Sequence, residues 1–213
     1  MSWILVNMTS DLDLNEFNNL VEQISDLPSV SKKQAKKITQ YLMTKSDRYV
    51  YDLIDVLKRA KLSIKICEMC QGWSNRSICS ICSDESRNNN ELCIVSFFDD
   101  LNVIEESQAY HGKYFILNHE ISKKNKRIIE EINFDLLLDL IKKQKIEKVI
   151  IATNFTQDGQ TTANYLRFLL DDFDLKIYRL GMGLPYNSSI DYADSFSLKG
   201  AFENKQLIKD KKA

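Results

Sequence analysis

The spacing Cys67-Glu-Met-Cys70, eight residues, Cys79-Ser-Ile-Cys82 constrains this chain more than any other feature. Each C-x-x-C turn lets two thiolates grip one ion, and two such turns complete a tetrahedral all-sulfur shell with Zn–S distances near ~2.3 Å. All four positions are then protein ligands, so no place remains for water or substrate. The reading is a structural site for one Zn2+ per chain. In a stretch this short and polar, metal binding replaces a missing core, and it supplies roughly 10–16 kcal/mol in isolated zinc-finger peptides. The rival readings are a redox-active dithiol pair or coincidence. Cys93 lies inside an apolar run and reads as a buried small hydrophobe. His111 and His119 have no second ligand or nucleophile at useful spacing and read as structural or surface residues.

The two flanks of the cluster differ in periodicity. Between Leu14 and Lys61 the pattern is helical: Phe17, Leu20, Val21 and Ile24 recur on one stripe, as do Val50, Leu53, Ile54 and Leu57. Pro28 ends the first helix, Leu27–Ser31 is a tight connection, and a second helix is predicted over Lys32–Met43. Asp84–Glu91 reads as a polar loop. Beyond it, strands are predicted at 92–97, 114–117, 148–153 and 175–180, with helices at 101–109, 134–143 and 159–170 between them. That alternation argues for a mostly parallel sheet covered by helices. A looser segment follows, and the tail from 205 reads as frayed.

Composition narrows the setting. The 213 residues are 44% hydrophobic and 28% charged, with only 6 Gly and 2 Pro, which describes a globular chain without a long flexible linker. No stretch is apolar enough to span a bilayer, and the opening residues lack the basic segment and cleavage site of a signal peptide. A cytoplasmic location is expected, and in that reducing compartment the five cysteines are not expected to form disulfides. Net charge is −1, yet residues 28–66 carry ten Lys/Arg against three Asp, after 27 residues with five acids and no base. On charge alone a solvated helical face explains this better than a phosphate-binding face.

The order of parts resembles the RecR family of recombination mediators. The resemblance rests on LPSVSKKQAKKITQYL, the cysteine cluster, ICSDESRNNNELCIV, AYHGKYFILNHEIS, ATNFTQDGQTTANYL and RLGMGLPYNSSIDYADSFSL, and runs from about Leu14 to about Glu203. It implies a multi-domain α/β protein. The parts are an N-terminal helix-hairpin-helix domain (1–66), a four-cysteine zinc finger (67–90), a Toprim domain with a Rossmann-like parallel sheet (91–180), and a short C-terminal segment (181–213). It also implies binding to single-stranded and duplex or gapped DNA, RecO-like and RecF-like partners, a ring-like dimer or tetramer, no membrane, and a nucleoid-associated role in DNA repair. Lys33 and Lys37 match the family's DNA-contacting positions, and Lys32 and Lys36 flank them, while Ala35, Ile38 and Leu42 can face the core.

Two departures stand out. The hairpin turn carries Ser29 and Ser31 where glycines are usual; serine keeps a hydroxyl for phosphate but resists positive φ. Toprim enzymes hold Mg2+ with a Glu and an Asp-x-Asp, and here those positions are Ser96, Asn154 and Thr156. Asp158 is the one acid left in that loop, and Asp99 and Asp100 read as ordinary helix N-terminal residues. The expectation is therefore no enzyme, with Asn154, Thr156 and Asp158 shaping either a partner-binding loop or simply a turn and cap. The competing readings are a Mg2+-dependent Toprim DNA-processing enzyme and a zinc-ribbon module without a DNA role. Gly181-Met-Gly183-Leu-Pro185 is no P-loop. Asp191, Tyr192 and Asp194 match a family motif whose plainer reading is loop structure or subunit contact.

Overall fold

The computed structural model describes residues 14–122 and 128–206. The expectations for residues 1–13 and for the tail from 207 lie outside the described residues. The described residues form two compact units, one ending at Ser63 and the other beginning at Ile64.

The first unit holds α1 (Asn15–Ser25), α2 (Lys32–Met43) and α3 (Asp47–Ser63). Val21 and Ile24 of α1 bury against Ala35 of α2, with Phe17, Leu20, Val30 and Leu42 around them. The turn between the helices closes through the Val30 N–H on the Leu27 carbonyl at 3.2 Å. Ser29 adopts φ 64°, so this serine does take up the left-handed conformation it was expected to resist. Ser31 is the N-cap of α2. Its hydroxyl accepts from the Gln34 N–H at 3.3 Å, and the Gln34 side chain accepts from the Ser31 N–H at 2.9 Å, a reciprocal capping box.

One expectation is corrected here. Ile38 does not face the core; it is 39% exposed, and Thr39 takes the inward position, fully buried, its hydroxyl donating to the Ala35 carbonyl at 3.0 Å. That local bond removes the penalty a buried hydroxyl would otherwise carry. The helical stripe of α3 is real, but Leu53, Ile54 and Leu57 are exposed and α3 has no buried residue.

In the second unit, β1 (Lys65–Ile66) and β2 (Trp73–Ser74) form an antiparallel ribbon around the first cysteine turn, and α4 (Ser80–Ser83) carries the second. There follow β3 (Asn88–Val95), α5 (Phe98–Ser107), β4 (Gly112–Ile116), α6 (Ile128–Glu131) and α7 (Phe134–Gln144). The chain then forms β5 (Lys148–Ala152), α8 (Gln157–Leu169) and β6 (Lys176–Arg179), a 3-10 turn at Ile190–Tyr192, and α9 (Ser195–Glu203). The four long strands make one parallel sheet in the order β4-β3-β5-β6. Leu92, Ile94, Phe115, Val149 and Ile151 point to one face, under Leu137, Leu140 and Ile141 of α7 and Ala163 and Leu166 of α8. Cys93, Val95, Tyr114 and Ile116 point to the other, against Leu101 of α5.

The expected polar loop 84–91 is a loop only as far as Arg87. Asn88–Glu91 are already β3, because ladder hydrogen bonds use the backbone and tolerate exposed asparagines at a strand end; a register shift lies between Asn88 and Leu92. The looser C-terminal segment contains α9, capped by Asp194, whose carboxylate accepts from the Phe196 and Ser197 N–H groups at 2.9 Å each.

The topology places the site. The chain leaves β3 for β4 on one side, then returns to β5 on the other. Such a switch point opens a crevice outside the carboxyl ends of the strands. For the first unit, Ser31→Ala is expected to remove the capping box and cost about 1 kcal/mol of helix stability, read as a lower denaturation midpoint with little change in slope.

Candidate metal centre and candidate binding face

The four sulfurs of Cys67, Cys70, Cys79 and Cys82 all lie within 4.8 Å of one another, and Cys70 and Cys79 are 3.6 Å apart. A tetrahedral shell with ~2.3 Å bonds has sulfurs ~3.8 Å apart, so the set fits one small ion that prefers soft donors. The Cys79 N–H donates to the Cys67 sulfur at 3.3 Å and the Cys82 N–H to the Cys79 sulfur at 3.4 Å, which favours sulfur in its anionic form. Hydrogen bonds from Cys70 and Cys82 pull the Cys79 thiol down, while the Cys70 thiol is pushed up chiefly by Cys79 and the Cys82 thiol chiefly by Cys70, with burial adding to both. A bound cation relieves that competition by favouring all four thiolates.

Both cysteine turns dock on the outer flank of β4. The Ile116 N–H donates to the Cys70 carbonyl at 2.8 Å, and the Asn118 side-chain amide donates to the Gln71 carbonyl at 3.2 Å. Lys113, only 4% exposed, donates to the carbonyls of Ile81, Cys82 and Asp84 at 3.1, 3.0 and 2.6 Å. Its ammonium thus lies buried at the end of α4, satisfied by three backbone carbonyls. Sequence reasoning passed over Lys113, since nothing marks a lysine at the start of a strand as buried.

At the carboxyl end of the sheet, the positions expected to lack acids meet one that was missed. Glu120 follows β4 by four residues. Its Oε1 accepts from the Ser96 hydroxyl at 2.6 Å, the Asn154 side-chain amide at 3.0 Å and the Asn154 N–H at 3.2 Å. Its Oε2 accepts from the Thr156 hydroxyl at 3.2 Å. Thr156 also caps α8, accepting from the Gly159 N–H at 3.1 Å. On the far side of Asn154, the Arg179 guanidinium donates to the Asn154 carbonyl at 3.1 Å and the Ile151 carbonyl at 2.8 Å, and sits 4.4 Å from the centre of the half-exposed Phe155 ring. Burial pulls the Arg179 guanidinium below its ordinary value, opposed by the Glu120 carboxylate. Gly159 is required by close approach: a Cβ there would lie 2.3 Å from the Asn154 carbonyl oxygen and 2.7 Å from Glu120 Oε1. The signal that could have pointed to Glu120 is its place just past a strand of a parallel sheet.

Asp158 lies in the first turn of α8, and Asp99 and Asp100 in the first turn of α5. Asp100 accepts from the Phe97 N–H at 2.8 Å, and burial raises its carboxyl above the ordinary range, with Glu120 and Asp99 adding to the effect. Lys32, Lys33, Lys36 and Lys37 are all exposed on α2, whose buried residues are Ala35 and Thr39. Cys93 is 2% exposed and burial pushes its thiol up to about 12, as befits a core residue. His111 is exposed, and His119 lies 3.4 Å from the Glu131 carboxylate.

Comparison with known proteins agrees with this architecture. The Toprim domain model matches residues 90–181. The chain is 39% identical to the recombination protein RecR of Ureaplasma urealyticum over 91% of its length and 97% of that protein. It is 40% identical to the Ureaplasma parvum RecR, over 92% of this chain and 98% of that one. The Francisella tularensis RecR is 34% identical, over 94% of this chain and all (100%) of the relative.

Stripping the metal with a chelator is expected to make four sulfurs rapidly reactive to a thiol reagent while Cys93 stays slow. The Ile116 amide, released from the Cys70 carbonyl, should exchange with solvent faster. Because the ligands must be deprotonated, metal retention should fall as pH falls. Slow thiols and unchanged exchange in the stripped protein would contradict the arrangement.

Proposed function

Since the chain belongs to the RecR family of recombination proteins, we propose that it is a non-catalytic mediator of recombinational DNA repair, acting with RecO-like and RecF-like partners to load recombinase at single-strand gaps. Its working parts are a helix-hairpin-helix DNA module (1–66), a four-cysteine zinc finger (67–90), the Toprim domain (91–180) and a C-terminal segment (181–213). Zinc is the ion that a closed four-thiolate shell suits best: it is borderline soft, redox-inert and content with a tetrahedron. Ring-like homo-oligomers and a nucleoid-associated cytoplasmic location complete the reading. No helix among the described residues is long and apolar enough to cross a membrane.

The observation that carries the mediator reading is the direction of the hydrogen bonds at Glu120. A Mg2+-dependent Toprim enzyme gathers carboxylates to hold a cation. In this chain Ser96, Asn154 and Thr156 are donors gathered around one carboxylate, with three of the four hydrogen bonds on a single oxygen. That occupies Glu120 Oε1 with donors and favours a face that binds protein, with Asn154, Thr156 and Asp158 on it. Incubation with Mg2+ and labelled DNA is expected to leave the DNA intact. Cleavage that disappears in Asp158→Ala would restore the enzyme alternative.

DNA binding is assigned to Lys32, Lys33, Lys36 and Lys37. Their exposure on one helix beside a hairpin turn supports phosphate contacts, and the left-handed Ser29 supports a turn shaped like the glycine-bearing ones of the family. Lys33→Ala with Lys37→Ala is expected to weaken DNA binding about tenfold or more and to reduce the salt slope by about 2. The melting temperature should hold. A folded double mutant with wild-type affinity in a gel-shift titration would remove these lysines from the interface.

A further inference from the structure

We propose that Glu120 is a positioning residue: it clamps the Asn154–Gly159 turn so that Phe155 and Asp158 stand as a fixed docking edge for a partner surface that pairs an apolar side chain with a basic one. The proposal rests on the reading of this face as a partner site given above.

The geometry is that of a turn held from both sides. Glu120 takes the Asn154 N–H and side-chain amide, and Arg179 takes the Asn154 carbonyl. One residue further on, the Phe155 ring lies over the Arg179 guanidinium and is still 50% exposed. A large ring left half in solvent yet fixed by a cation beneath it loses little freedom on binding, which is what an interface anchor requires. Thr156 and Gly159 join the clamp to α8, and Glu120 itself is anchored by its neighbour, the Ile121 N–H donating to the Thr162 hydroxyl of α8 at 2.7 Å. The charge of Arg179 is spent on two carbonyls, whereas Asp158, Asp99 and Asp100 line the same end of the sheet with carboxylates. The complement of such an edge is cationic and apolar, not anionic.

The clamp makes a specific prediction about substitution at 120. Three of its four hydrogen bonds end on Oε1, so a glutamine can keep them and turn its amide towards the Thr156 hydroxyl. Alanine cannot. The experiment uses the full chain as wild type, Glu120→Ala, Glu120→Gln and Phe155→Ala, with Glu120→Asp in place of alanine if the latter does not melt cooperatively. Amide hydrogen exchange over 153–160 reads the turn itself, and titration of a purified RecO-type partner reads docking. In Glu120→Ala, exchange at Asn154 and Gly159 should rise about tenfold and partner affinity should fall about tenfold, while Glu120→Gln stays within about threefold on both. DNA affinity should not change in any of them. Wild-type exchange in Glu120→Ala overturns the clamp. Faster exchange with undiminished partner affinity overturns the link between clamp and docking. Wild-type partner affinity in folded Phe155→Ala overturns the partner-face reading on its own, leaving the exchange result to judge Glu120.

Discussion

A parallel sheet must do something with its outer strands, since an edge presents a row of unpaired N–H and C=O groups. At β4 the covering is made by the cysteine turns, and the Ile116 N–H meets the Cys70 carbonyl. Those turns have too few apolar residues to hold a shape unaided; the sulfur cluster fixes it. Lys113 reinforces the junction from below by gathering three carbonyls around a buried ammonium. Beyond the end of β4 the chain turns at Asn118, at φ 61°, and reaches Glu120. The four-cysteine cluster is thereby tied, through a few covalent and hydrogen bonds, to the end of the sheet where Glu120 lies.

At that end the fold gathers hydrogen-bond donors around Glu120. The crevice outside the strand termini, at the switch between β3 and β5, is where an enzyme of this topology would collect acids. Here hydroxyl and amide donors surround the Glu120 carboxylate, Asp99, Asp100 and Asp158 stand in the first turns of the helices that follow β3 and β5, and a guanidinium completes the shell through the backbone. Each donor to an ionised acceptor is stronger than a neutral hydrogen bond, so the cluster is well suited to holding a loop in one shape.

How far this was legible beforehand differs by residue. The cysteine spacing led directly to the sulfur cluster, because thiolate ligands at those intervals have few other uses. Lys32–Met43 was marked by Pro28 before it and a clean stripe within it, and the helix has those bounds. Strands 92–97 and 148–153 were announced by apolar runs. Asn88–Glu91 escaped notice because backbone pairing leaves no mark on polar side chains. Thr39 displaced Ile38 from the core by satisfying its hydroxyl locally, a choice that periodicity cannot register. Glu120, Arg179 and Lys113 were missed for a common reason: their roles depend on neighbours far away in sequence, and one chain read alone carries no trace of which distant backbone carbonyl a side chain will reach.

The closeness of α8 to the Asn154 turn has a consequence for how this protein can vary. Position 159 has no room for a β-carbon, since the Asn154 oxygen and the Glu120 carboxylate already fill the space. Any heavier residue there would have to push one of them aside first. The nearer obstruction is a backbone oxygen, so changing the side chain at 154 opens no space; of Gly159, Asn154 and Glu120, the one without a functional group has the least liberty.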